Sequence, residues 1–211
     1  MTELRYKLLT PELKTRAGEA NETQWQIGEW VEAKGKGGLC SGGVLHFYPS
    51  PEVAAFMNPI HANICNPVFA ELEVDAIVEE TATKGGARRA RITRILPSIV
   101  PTLVQRVAFG VLCAKAVSND KRFNSWADKW LSGEDRSYEA AAERAAELAA
   151  ELAAEVEMAR VVAVDRAAAW AAAWAAAARV AEYAAVAVDR AARANIGMDL
   201  TLFAKQALAE Y

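Results

Sequence analysis

The spacing of apolar and polar positions along this chain changes character at about residue 97. Upstream the pattern is short and strand-like. RYKLL (5–9) predicts a first strand. In LCSGGVLHFY, Gly42 and Gly43 mark a tight turn leading into a second one. Pro49 and Pro51 stop that strand, and Pro51 suits the first turn of a short helix, PEVAAFMN. FAELEVDAIVE (69–79) alternates at period two, with Leu72, Val74, Ala76 and Val78 on one face and Glu71, Glu73, Asp75 and Ile77 on the other. This predicts a half-buried strand. The glycines of TATKGGA suit a hairpin turn, after which RRARITRIL reads as the antiparallel partner. Arg88, Arg89, Arg91 and Arg94 would then face the acids as ordinary cross-strand pairs.

Beyond Pro97 and Pro101 the period lengthens. PTLVQRVAFGVLCAKAV reads as a mostly buried helix, and KRFNSWADKWL places Phe123, Trp126, Ala127 and Trp130 on one face of a second. Ser132 and Gly133 punctuate the chain. From Glu134 to Ile196 there is neither Gly nor Pro, and 28 of the 57 residues from Tyr138 to Ala194 are alanine, the best helix former. Unbroken, such a helix would reach about 86 Å at roughly 1.5 Å per residue. A rod of that kind cannot bury its own side. The AAEL, AAEL, AAEV tetrads put Leu148, Leu152 and Val156 on one stripe, and Trp170, Trp174 and Tyr183 would be exposed on a lone helix. Alanine between them lets another helix approach closely with little loss of rotamer freedom. The expected fold is therefore α+β: a head (1–131) with a small, mainly antiparallel sheet and short helices, then an alanine-rich helical assembly module (132–211), either rod or hairpin. That surface predicts a homo-oligomer.

Composition narrows the classes. With 211 residues and 53% apolar content the chain can bury a real core. The net charge of −3 hides a gradient: 11 bases against 12 acids over 1–96, 5 against 2 over 97–133, and 8 against 13 over 134–211. No part has the basic excess that generic nucleic-acid binding needs. Cys40, Cys65 and Cys113 form an odd, sparse set that suits reduced thiols in a cytoplasm. MTELRYKLL lacks a basic flank followed by an apolar signal core, and the uncharged run 167–178 is too short to span a bilayer. A cytoplasmic protein with no membrane partner is the expectation.

Three constellations could carry chemistry. Cys40, His46, His61 and Cys65 have the ligand types of tetrahedral zinc, yet C-x5-H with H-x3-C matches no standard pattern. A hydrogen-bonded strand histidine is the commoner role for His46, so neither metal nor cofactor is expected. Glu71, Glu73 and Asp75 could hold a metal for phosphate chemistry, but the wet side of a hairpin accounts for them more simply. Lys84, Arg88, Arg89 and Arg91, with Gly85 and Gly86, form a basic tip able to hold a phosphate, although no G-x-x-x-x-G-K-[ST] is present.

GLCSGGVLHFYPSPEVAAFMNP, FAELEVDAIVE and KGGARRARITRIL together resemble an uncharacterised family widespread in bacteriophages and also found in some bacteria. Its members share a Cys-Gly-(Gly)-Leu-His strand, a short alanine-containing helix, an acidic E-V-E strand and a closing strand. Many also carry alanine- and tryptophan-rich tails. The resemblance covers about 5–131, with Val44 inserted before Leu45-His46, and reaches the tail by composition only. It implies a viral origin and supplies no chemistry. GVLHFYPSPEVAAFM is also similar to the NAD-gripping part of ADP-ribosyltransferase folds. That likeness implies Glu71 or Glu73 as the catalytic glutamate and Tyr48 as the nicotinamide-stacking aromatic; the rest of the pattern is absent. The leading expectation is a phage-encoded, non-enzymatic binding protein that blunts a host defence by gripping a host protein or sequestering a nucleotide signal. The rivals are a nucleotide-using enzyme, an ADP-ribosyltransferase relative or phosphate-bond hydrolase with His46, Tyr48 and Glu73 at its site, and a structural virion component.

Overall fold

The computed structural model describes residues 4–39, 41–117, 121–137 and 199–211. They form an antiparallel sheet with four helices, an α+β arrangement. The strands are β1 (Leu4–Leu9), β2 (Lys14–Thr15), β3 (Thr23–Gln24), β4 (Trp30–Glu32), β5 (Leu45–Phe47), β6 (Val68–Glu80) and β7 (Gly85–Leu96). The helices are α1 (Pro51–His61), α2 (Leu103–Val117), α3 (Lys121–Ser132) and α4 (Leu200–Glu210).

The long β6–β7 hairpin is the spine. β1 lies antiparallel along the outer edge of β6, from Leu9 opposite Val68 to Leu4 opposite Glu73. The free edge of β7 takes β5 at Gly85–Ala87 and β4 at Arg89–Arg91. The sheet then curls back on itself, because Tyr6 and Tyr48 exchange reciprocal main-chain hydrogen bonds of 3.0 and 2.7 Å and so join β1 to the chain leaving β5.

Period-two alternation explains why a curled sheet has two cores. Leu9, Phe47 and Ala70 face inward with Trp25, Leu72, Val74, Ala87, Ala90 and Ile92. Their neighbours Leu8, Tyr48 and Phe69 face outward onto the helices. α1 begins as its sequence dictates: the Ser50 hydroxyl accepts from Val53 N (3.1 Å), with Pro51 in the first turn. It runs through Pro59 to His61, one turn beyond PEVAAFMN, and the Asn58 amide closes the exit by bonding both Ile64 N and Ile64 O (3.0 and 2.9 Å). α3 buries Phe123, Trp126, Ala127 and Trp130, the face its spacing predicts, and stops at Gly133 with φ +81°.

The hairpin departs from expectation in two places. The glycines are not its turn. Thr81–Lys84 make the reversal, closed by Thr81 N donating to Lys84 O (2.8 Å) and by the Thr81 hydroxyl bonding both Lys84 N and Lys84 O. Gly85 and Gly86 lie within β7 because larger side chains press on them: a Cβ on Gly85 would collide with the Phe47 ring, and one on Gly86 would sit 2.8 Å from Val44 Cγ2. The supposed basic tip is therefore a strand. The inward face of β6 also ends early. Ala76, with φ +54°, and a register shift between Ile77 and Glu79 turn the strand, and Ala76 and Val78 are exposed rather than buried.

α4 is packed in the head's core, although the sequence groups it with the tail. The Asp199 carboxylate caps it at Leu202 N (2.9 Å), and Leu200, Ala204 and Ala207 join the core formed with α1, α2 and α3. Gln105 Nε2 donates to Leu208 O (3.1 Å), and the Arg136 guanidinium lies over the rings of Trp130 and Tyr211. Residues 134–137 are not helical. The expected helical module, with Leu148, Leu152, Val156, Trp170, Trp174 and Tyr183, lies outside the described residues, as does Cys40. Among the described residues no helix is long and apolar enough to cross a membrane.

Candidate functional site

Lys7 stands between Tyr6 and Leu8, which face the helices, so strand alternation turns it inward beside Leu9. It is 6% exposed. A cation reaches this interior because the sheet's closure is incomplete. Continuing the antiparallel ladder from the Tyr6–Tyr48 pair would bring Leu8 opposite His46, but the bridge is isolated. The carbonyl of His46 instead accepts a hydrogen bond from Lys7 Nζ at 2.5 Å. The indole of Trp25 covers the other side, 4.9 Å from Nζ, and is fixed by donating to the Thr15 hydroxyl (3.1 Å). Lys7 thus fills the seam between β1 and β5. Burial, reinforced by Arg16, lowers its ammonium pKa to about 7.

His46 shares this end of the sheet. Burial, then Lys7, Lys84, Arg16 and His61, push its imidazole down to about 4, so it is neutral at pH 7. Tyr48 stacks on His61 with ring centroids 5.9 Å apart, and burial raises its phenol. The charged groups that lower these two pKa values are bases: Arg16 for Lys7, and Lys7, Lys84, Arg16 and His61 for His46.

The outer sheet face is the reverse: acids and bases neutralise one another in a ladder. Arg94 meets Glu71 at 2.7 Å, Arg91 meets Glu73 at 2.6 Å, and Arg89 lies 4.0 Å from Asp75 and 3.9 Å from Glu32. These are the directly opposed positions of the β6–β7 register. The guanidinium groups of Arg89 and Arg91 both lie over the Trp30 ring, at 4.3 and 4.9 Å. The hydrogen bond from Arg94, with help from the Thr93 hydroxyl, holds the Glu71 carboxyl below its ordinary range despite burial.

The residues singled out from sequence separate accordingly. His46 and Tyr48 share the helix-facing side of β5 and the residue after it, with His61 near both. Glu73 does not join them: it pairs with Arg91, five positions along β7 from the Gly86 opposite His46, roughly 16 Å away at about 3.3 Å per residue. The catalytic set His46, Tyr48 and Glu73 is therefore not assembled. Lys84, Arg88, Arg89 and Arg91 do not form one patch either. Arg88 bonds the carbonyl of Gly43, Arg89 and Arg91 belong to the ladder, and only Lys84 reaches the seam end. Cys65 is exposed, and among the described residues no group of three or more His, Cys, Asp or Glu is placed to hold a metal. Lys7, Arg16 and Trp25 were not anticipated. The available signal was parity, since Lys7 is two residues from Leu9 and must share its face. Comparison with family models, curated proteins and solved structures finds no match to this chain.

Proposed function

We propose that this chain is a binding protein whose head takes a small phosphate-bearing ligand, of the nucleotide-signal class, at the seam end of its sheet. The observation that supports this reading is the electrostatic push of Arg16 on Lys7 and of Lys7, Lys84 and Arg16 on His46, in a head where Arg91 and Arg94 are paired with Glu73 and Glu71. An anion there would relieve repulsion already present, and Arg16 and Lys84 are accessible enough to meet it. Binding without turnover is favoured over catalysis because Glu73 lies apart from His46 and Tyr48 and the alternative glutamate, Glu71, is tied up by Arg94 and the Thr93 hydroxyl. That a phage protein of this kind would blunt a host defence by holding such a signal, and self-associate through residues 138–198, is a proposal resting on the family resemblance and the tail's composition.

Isothermal titration of the full chain with a panel of linear and cyclic nucleotides, followed by chromatography of the ligand, tests the reading. Micromolar or tighter binding that weakens at least tenfold in Arg16→Glu/Lys84→Glu, with the ligand recovered intact, is expected. Turnover would favour the nucleotide-using enzyme, and no binding at all would point to a protein partner. Copurification with virus particles would favour the structural role.

A further inference from the structure

We infer that the seam between β1 and β5 is a gate in the curled sheet, plugged by the Lys7 side chain and opening locally as the solution becomes more acid. The main chain does little to close it. β1 is tied to β6 by a six-residue register, from Leu4 opposite Glu73 to Leu9 opposite Val68, and β5 is tied to β7 at Gly85–Ala87. What joins β1 to the chain leaving β5 is an isolated bridge, the reciprocal Tyr6–Tyr48 pair, followed by the bond from Lys7 Nζ to the His46 carbonyl. Parting the seam breaks these three bonds, which water can replace, and leaves the pairing of each strand with the β6–β7 hairpin whole.

Lys7 is a poorly solvated plug. An ammonium has three N–H donors, and this one is 6% exposed. The His46 carbonyl takes one donor, and the Trp25 ring face lies 4.9 Å from Nζ. Across β6 the residue opposite is Ala70, with Leu72 on the same inward face. The charged and titratable groups around it are three. Arg16, after β2, repels it. Arg5, two residues back on β1, is ion-paired to Glu80 of β6 at 2.9 Å. The His46 imidazole hangs from the opposite face of β5, since Leu45 and Phe47 on either side of it point inward. A positive charge is therefore what the closed seam tolerates least: burial, then Arg16, bring the amine to about 7 from its ordinary 10.5. In the open seam water supplies acceptors and the ordinary value returns. Between those two values the open form binds the extra proton, so acid shifts the population toward it.

The gate needs no ligand and is tested without one. Hydrogen exchange of the full chain is followed at pH 6, 7, 8 and 9, and protection at Tyr6 and Tyr48 is compared with that along β6 and β7 after correction for intrinsic rates. The seam amides are expected to exchange at least about tenfold faster than the hairpin at each pH, the mark of local opening. Their protection should itself grow at least about tenfold from pH 6 to pH 9. Lys7→Met, which fills a similar volume without a charge, should remove that growth; Lys7→Gln serves the same purpose if the methionine variant does not fold. Seam and hairpin amides with equal protection would overturn the inference, because the seam would then part only when the whole head unfolds. So would a seam whose protection keeps the same pH dependence in the uncharged variant.

Discussion

A lysine inside a curled sheet makes stability depend on pH with a sign opposite to that of a lysine held in a salt bridge, whose folded pKa is raised. The folded pKa of Lys7, about 7, lies below the 10.5 of the free side chain. Between those values the unfolded chain binds the extra proton, so stability rises as pH rises, and below pH 7 the burial penalty is fully present. Urea midpoints of the native protein should therefore climb between pH 7 and 9.5. Lys7→Met should flatten that climb while filling a similar volume, and equal slopes in the two proteins would show that Lys7 is not the titrating group. His46 works on the acid side. Its folded pKa of about 4 lies below the ordinary 6.5, so stability is lost as pH falls through that window. His46→Gln should lose less between pH 6.5 and 4, measured in the same titration. Lys7 was legible only in part. RYKLL announces a strand, but which lysine the strand swallows depends on β5 and Trp25, which stand 38 and 18 positions away.

At the scale of elements, the antiparallel hairpin and its opposed acids and bases were readable because alternation and pairing are local. The turn was misread for a physical reason. Two adjacent glycines look like a reversal, yet Gly85 and Gly86 are small because Phe47 and Val44 come close to them from a distant part of the chain. Gly85→Ala is expected to cost about 3 kcal/mol in urea denaturation, at the upper end for an overpacked core. Gly42→Ala, where an added methyl meets nothing within 4 Å and φ is not positive, should change stability by less than about 0.5 kcal/mol. α3 was legible because an apolar stripe at three- and four-residue spacing has one structural solution, and α2 because its run is apolar nearly all round, as a buried helix's is. The expected helix PEVAAFMN ends just before Pro59, whereas α1 runs through it to His61. The proline ring is tolerated in the last turn, where the Asn58 side chain closes the exit.

For the molecule as a whole, the consequential placement is that of α4, which no local pattern marks as part of the head. Ser137 and Asp199 are the described residues on either side of 138–198. Arg136 lies over Tyr211, at the far end of α4, and that helix is about 16 Å long at 1.5 Å per residue. A Gly/Ser bridge of about ten residues, at up to roughly 3.3 Å each, can therefore span the gap. Replacing 138–198 with it should leave the head cooperatively folded, with a melting temperature within a few degrees of the full chain. Ending the chain at Ser137 should instead strip Leu200, Ala204 and Ala207 from the core and lower the melting temperature sharply or cause aggregation. If the truncated and bridged proteins melted alike, α4 would not be holding the head together.

The position of α4 also sets a timetable. On the ribosome the strands and first three helices emerge well before the piece that seals them. At about 5–20 residues per second, making 138–198 takes several seconds. Throughout that interval the greasy flank of α1 and α2 that Leu200, Ala204 and Ala207 will cover stands open to the cell. Nascent chains stalled just after residue 137 should therefore recruit chaperones that the released protein no longer holds.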